Sequence, residues 1–302
     1  MPMETKIASV PHLGDTIVGY QMPRPYDKAK PTLILVHGFA MSSHMYEMHY
    51  NSKFLEDKMN LLGIDVIGHG KTKTDRESFT YWDTAIINIQ LMKSLGITKA
   101  FVLGTSQGGW ISVRMALLEP EMIEGILPIG VSLDYESEAA RSLGCWDGIN
   151  GCNELIDSLS SLVPTPEFEL DNKFCDFCVD IDYGKDCDDR TRNFWRKEMK
   201  DAYRGEIGRK TLRMDVISMR DRDGLHGRLE FVRCPVLWMH WSQGTMDALI
   251  PLASPEAEIK LFTGSIDARL VVIEGGRHVL SSSHQREVEQ NVSNFVAKYH
   301  KH

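Results

Sequence analysis

Through the first 131 residues, short runs of consecutive apolar side chains alternate with stretches whose apolar residues recur every three to four positions. The runs at 32–36, 59–66, 100–105 and 123–131 read as strands buried on both faces. The stretches at 46–55, 81–95 and 109–118 carry helical spacing. Two earlier segments, 5–10 and 16–21, are placed to pair as an antiparallel entry to the sheet. Strand and helix in alternation imply a parallel sheet with helices on both faces. Such sheets present their reactive groups at the carboxyl ends of the strands.

The alternation stops at about residue 132. From there to 230 the chain is irregular, acidic and aromatic, and it carries no clear strand-helix rhythm. The rhythm resumes with an apolar run at 234–240, a helical stretch at 254–262, a strand at 270–274 and a helix at 285–299. The expected organisation is one α/β core in two pieces, 1–131 and 231–302. Residues 132–230 are expected to be inserted between them as a helical lid over the site. No internal repeat or low-complexity tract is evident.

The sharpest chemical signal is Gly104-Thr105-Ser106-Gln107-Gly108, which falls where the 100–105 strand must turn into the 109–118 helix. A serine at so tight a corner is forced into a strained backbone, with its hydroxyl projecting out of the sheet. The flanking glycines are required because side chains there would collide with the neighbouring strand and helix.

Serine is a poor nucleophile unless a base takes its proton and a third group holds that base. His278 follows the 270–274 strand and two glycines, which puts it on a loop at a strand's carboxyl end. Asp247 follows the 235–240 strand and precedes Pro251 by four residues, at the same edge. Ser106 is therefore read as nucleophile, His278 as general base and then acid, and Asp247 as the carboxylate that orients the imidazole. The Gln107 N–H, at a helix start, is suited to stabilise an oxyanion. A second donor is expected from the loop after His37-Gly38, with the Phe39 N–H the natural candidate.

Taken together, His37-Gly38-Phe39, Asp65-Val66-Ile67-Gly68-His69-Gly70, the Ser106 elbow, Asp247 with Pro251, and His278 resemble the α/β-hydrolase superfamily. The resemblance covers both core pieces, about two thirds of the chain, and leaves the middle uncovered. Gly-Thr-Ser-Gln-Gly-Gly is similar to fungal hydrolases found beside secondary-metabolite pathways. A serine at the elbow differs from epoxide hydrolases and haloalkane dehalogenases, which place aspartate there. The resemblance implies hydrolysis of an ester, lactone or thioester of a moderately apolar small molecule, without metal or organic cofactor. Carbon–carbon bond hydrolysis of a diketone-like substrate uses the same three residues and stays open, as does a ligand-binding homologue with little turnover. Six residues separate the strand from Asp247, more than is usual in the family. Some members take the acid from the end of the preceding strand, where this chain has Asp134.

Composition narrows the partners. With 42% hydrophobic and 25% charged residues among 302, the chain can bury a large core. A net charge of -8 argues against nucleic acid or an anionic membrane surface as partner. No apolar run is long enough to span a bilayer, and the N-terminus does not read as a secretory leader, so the expected location is cytoplasmic. A homodimer is left open. Five of six cysteines lie between 145 and 187 without a partner motif of zinc spacing. Reduced structural thiols fit them best; a disulfide or a metal site is less favoured. The acidic run from Asp180 to Asp189 lacks the distal glutamate of a calcium loop, so a solvated face is expected. His69 and His37 are read as loop anchors; a place at the pocket mouth is the less favoured reading of His44. Among the aromatic residues of the middle segment, Trp146, Phe177 and Trp195 are the candidates for lining a substrate pocket, against the more favoured alternative for any one of them that it belongs to the lid's own core.

Overall fold

The structure, a computed structural model, describes residues 3–135, 137–241 and 249–300. Among these, eight strands form a single sheet: β1 (Lys6–Val10), β2 (Thr16–Gln21), β3 (Thr32–Val36), β4 (Asn60–Ile64), β5 (Ala100–Thr105), β6 (Ile123–Ile129), β7 (Val236–Trp241) and β8 (Ala268–Ile273). Their order is β1-β2-β4-β3-β5-β6-β7-β8. The first two strands pair antiparallel, as does β2 with β4, and every later pairing is parallel. The junction that matters most is Ile126 beside Val236, where the two sequence pieces become one sheet.

Strand alternation sorts β3 between two cores. Leu33 and Leu35 face one layer, with Val288, Val292 and Phe295 of the closing helix. Ile34 and Val36 face the other, with Ile87, Leu91, Ile111 and Met115 from the helices at Tyr81–Ser94 (α1) and Gln107–Leu118 (α2). Burying each such side chain stabilises the fold by roughly 1.5–3 kcal/mol, so a register slip in β3 would sacrifice both cores at once. α1 starts sharply because Thr80 and Asp83 form a reciprocal capping box.

Between β6 and β7 the described residues form five α-helices: α3 (Glu138–Ser142), α4 (Gly148–Ser158), α5 (Asn172–Tyr183), α6 (Asp189–Ala202) and α7 (Gly205–Arg220). α5 and α6 are laced by ion pairs, with Arg192 and Arg196 on Asp176 and Arg192 on Asp180. Asp180 therefore lies within a helix rather than at the head of an open acidic loop. Later in the chain come α8 (Ala253–Glu258), a one-turn helix at Leu280–Ser283 and the closing helix α9 (Gln285–Tyr299).

One expected helix is broken. Residues 46–55 do not form a continuous helix; short turns at Ser43–Tyr46, Glu47–Tyr50 and Lys53–Glu56 replace it, with Ser52 extended between the last two. The cause is tertiary. The Ser52 hydroxyl donates to Glu289 Oε2 on α9 at 2.7 Å, and His49 Nδ1 lies 3.0 Å from Oε1 of the same buried carboxylate. Satisfying that carboxylate outweighs helix continuity.

Candidate active site

Ser106 sits between β5 and α2 with φ 53° and ψ −119°, a conformation that L residues rarely adopt. Its N–H donates to the Ile129 carbonyl at 2.8 Å, which ties the corner to β6. The glycine requirement read from the sequence is a steric fact. A Cβ on Gly104 would fall 2.0 Å from the Gly108 carbonyl oxygen, and one on Gly108 would fall 2.0 Å from that of Val36. No side chain fits at either place.

The loop after β3 runs beside the serine. A Cβ on Gly38 would lie 3.4 Å from the Ser106 Cβ. His37 fixes this loop: its Nε2 accepts from the Val66 N–H at 2.9 Å, so its Nδ1–H donates to the Gly38 carbonyl at 2.8 Å. Burial lowers the His37 pKa, in keeping with this neutral form. Asp65 holds the adjoining turn by accepting from the backbone N–H groups of Ser43 and Lys71, both at 2.8 Å. His69 is likewise held by the backbone, with Nδ1 2.9 Å from the Ile67 carbonyl; burial first, and the neighbouring His37 ring second, lower its pKa to about 3. Neither the Phe39 nor the Gln107 N–H donates to a described backbone or side-chain group.

Above the serine lies a cavity of about 500 Å³, within the roughly 300–1,000 Å³ of small-molecule sites. Ser106, Gln107, Phe39 and His278 line it from the core. His278 is buried on the loop after β8, its ring edge-on to Trp241 at 5.3 Å. The structure thus brings Ser106 and His278 to one space from strands far apart in sequence. Asp247 lies outside the described residues. Leu249 and Ile250, two and three positions further on, line the same cavity.

Asp134 is described, and it is occupied elsewhere. Its carboxylate accepts from the Ser137 hydroxyl and stands 4.0 Å from His226 Nδ1; it is not among the described cavity residues. Trp146 and Phe177 do line the cavity, as does Phe174. Trp195 does not: it is 2% exposed, stacked on Tyr183 at 6.0 Å and edge-on to Phe194 at 5.1 Å. A large ring on the inner face of α6 is the best filler for the interior of the helical segment, and packing claims it. His44 pairs with Glu198 of α6 at 3.2 Å and is not among the lining residues.

Among the lining residues that were not singled out in the sequence are Tyr81, Trp110 and Arg222. Trp110 carried a usable signal, since one helical turn past the elbow it shares the face of Ser106. For Tyr81, first residue of α1, and for Arg222 there was none, because their approach to the cavity is made by chain folding.

Residues 31–141 match a family model described as alpha/beta hydrolase fold. An uncharacterized hydrolase of Bacillus subtilis, YugF, is 29% identical over 109 residues, 36% of this chain and 37% of that protein. The match therefore spans little more than a third of that relative. A thermophilic esterase from Thermogutta terrifontis superposes with a TM-score of 0.75 at 17% identity, covering 99% of this chain and 100% of that one. The enol-lactonase from Burkholderia xenovorans LB400 gives 0.74 at 15% identity, covering 97% and 100%. With eight strands in this order, helices on both faces of the sheet and the sequence match at 31–141, the chain has the α/β-hydrolase fold.

Proposed function

We propose that this chain is a serine hydrolase that cleaves an ester, lactone or thioester of a moderately apolar small molecule through an acyl-enzyme. The observation that carries the reading is Ser106, held at positive φ in the wall of a cavity that His278 also lines. The Phe39 and Gln107 N–H groups, unengaged beside it, supply the complementary half. The resemblance in fold to a named esterase and a named enol-lactonase supports acyl chemistry.

In this mechanism His278 takes the Ser106 proton as Oγ attacks the acyl carbon. The oxyanion settles between the Phe39 and Gln107 N–H groups. His278 then protonates the leaving group, activates water against the acyl-enzyme, and returns the proton to Ser106. Asp247 orients the imidazole and stabilises its charged form. Residues 132–230 act as a lid, contributing Trp146, Phe174 and Phe177 as apolar walls that exclude water. We place the reaction in the cytoplasm; no helix among the described residues is long and apolar enough to cross a membrane.

A fluorophosphonate probe tests the reading. The intact protein should be labelled on Ser106, and Ser106→Ala should not. A panel of acyl esters, lactones and thioesters should then show turnover in the wild type alone. An unlabelled, inactive wild type would leave the fold without this chemistry.

A further inference from the structure

The acyl mechanism uses Gln107 through its backbone N–H and leaves its side chain without a part. That side chain belongs to the first residue of α2, is 5% exposed, lines the cavity and holds Oε1 buried with no hydrogen-bond partner. Its amide nitrogen likewise donates to no described residue. Methionine would fill the same volume with nothing stranded, whereas a buried amide oxygen left unpaired costs stability. Such an oxygen is satisfied only when a donor reaches it from the cavity.

Tyr81 is its counterpart on α1. It is 3% exposed and lines the same cavity, and its hydroxyl makes no hydrogen bond to any described residue. The capping box at Thr80 and Asp83 fixes the start of α1 and so the place of the phenol. Burial pushes the Tyr81 pKa up, so the group stays a neutral O–H donor. The rings of Tyr81 and Trp110 flank the buried guanidinium of Arg114, whose Cζ is 5.7 Å from each centroid. Trp110 is one helical turn beyond Gln107 on the same face of α2, so the phenol stands beside that face. Arg114 is itself engaged by Asp223 and by the Trp110 carbonyl.

An acceptor and a donor facing one apolar space, neither of them ionised, match a group that both donates and accepts, which is a hydroxyl. The Arg114 charge beside Tyr81 disfavours an ammonium there. A carbonyl would take the Tyr81 hydrogen bond but leave Gln107 Oε1 unpaired. Phe39, Trp146 and Phe174 give the cavity flat apolar walls that suit a ring. We propose that Gln107 and Tyr81 form a subsite for a hydroxyl carried on an aromatic ring of the substrate, with Gln107 Oε1 accepting a hydrogen bond from it and Tyr81 donating one to it. This deepens the serine hydrolase reading and rests on it for the word substrate. Both are specificity-determining residues, and the substrate class narrows to a hydroxylated aromatic ester, lactone or thioester.

Binding without turnover tests the subsite. Isothermal titration would compare N-methyl-2-naphthamide with its isomers bearing one ring hydroxyl, and with the methyl ether of the tightest of them. At least one hydroxylated isomer should bind the wild type at least about tenfold more tightly than the parent amide. Its methyl ether, which accepts but cannot donate, should lose that advantage. In Gln107→Met the ratio of hydroxylated to parent affinity should fall to about one, and in Tyr81→Phe it should fall several-fold, with thermal melts confirming that both fold. No preference of the wild type for any hydroxylated isomer would mean that water alone fills the subsite, and would overturn the proposal. So would a methyl ether that binds as tightly as its hydroxyl, or a ratio unmoved in either variant. The ligand comparison needs only the wild type, so it decides even if a variant fails to fold. Fluorophosphonate labelling of the wild type, run in parallel, reports on Ser106 alone, so a failed subsite and a failed hydrolase reading give different results.

Discussion

A Cβ on Gly108 would stand 2.0 Å from the carbonyl oxygen of Val36, and that contact fixes how closely α2 packs on β3. The obstacle is backbone, which cannot rotate away. Gly108→Ala should therefore destabilise the fold by at least about 3 kcal/mol. A melting curve checks it: a variant that melts with the wild type would mean the elbow is looser than its geometry.

The elbow itself stores strain. Positive φ at a non-glycine costs on the order of 1–3 kcal/mol, and glycine removes it while giving some back through the unfolded chain. Ser106→Gly should thus be more stable than wild type by about 1 kcal/mol, a rise of about 2 °C in Tm for a chain of this size. It should also lose turnover and probe labelling entirely. Ser106→Ala, which keeps the Cβ, should lose activity without the gain in stability.

The acid can be assigned by charge removal. Asp247→Asn should lower kcat by about 10²–10⁴-fold, because the amide favours the wrong imidazole tautomer. Asp134→Asn should stay within a few-fold of wild type, since its carboxylate is committed to Ser137 and stands near His226. Steady-state kinetics on one ester decide it; collapse in Asp134→Asn alone would transfer the role.

A buried carboxyl should shape the response to pH. Asp215 of α7 is buried against Gly68 and beside the Tyr203 hydroxyl, and among the described residues neither carboxylate oxygen reaches full hydrogen-bond geometry. His69 Nδ1 stands 3.7 Å away. Burial raises the Asp215 pKa well above its ordinary value, so the folded state keeps a proton that the unfolded chain gives up. The folded pKa being the higher, this stabilisation is complete below about pH 4 and is lost as pH rises toward the folded value. Asp215→Asn has no proton to lose. Urea unfolding should show the variant gaining on the wild type between pH 4.5 and 8; parallel curves would contradict this.

The order of strands and helices in the core was legible because strands buried on both faces and amphipathic helices leave distinct periods. The Ser106 elbow was legible for a related reason: a positive-φ corner admits few sequences, and Gly104 and Gly108 record the clash that excludes the rest. The break near Ser52 was not legible, since it answers to Glu289, more than two hundred residues away. Trp195 misled for the opposite reason. An aromatic residue reads alike whether its ring faces a neighbouring helix or a ligand, and only packing on Tyr183 and Phe194 tells them apart.

Local constraints, namely hydrophobic period, glycine sterics and capping, were written into the order of residues, and they determined the sheet, the serine corner and the loop bearing His278. The wall of the cavity was decided by tertiary structure. Tyr81, Trp110 and Arg222 belong to three separate segments, and their meeting depends on how α1, α2 and the end of α7 pack. No period along the chain encodes that, because the free energy of such contacts resides in side chains that become neighbours only once the core has closed.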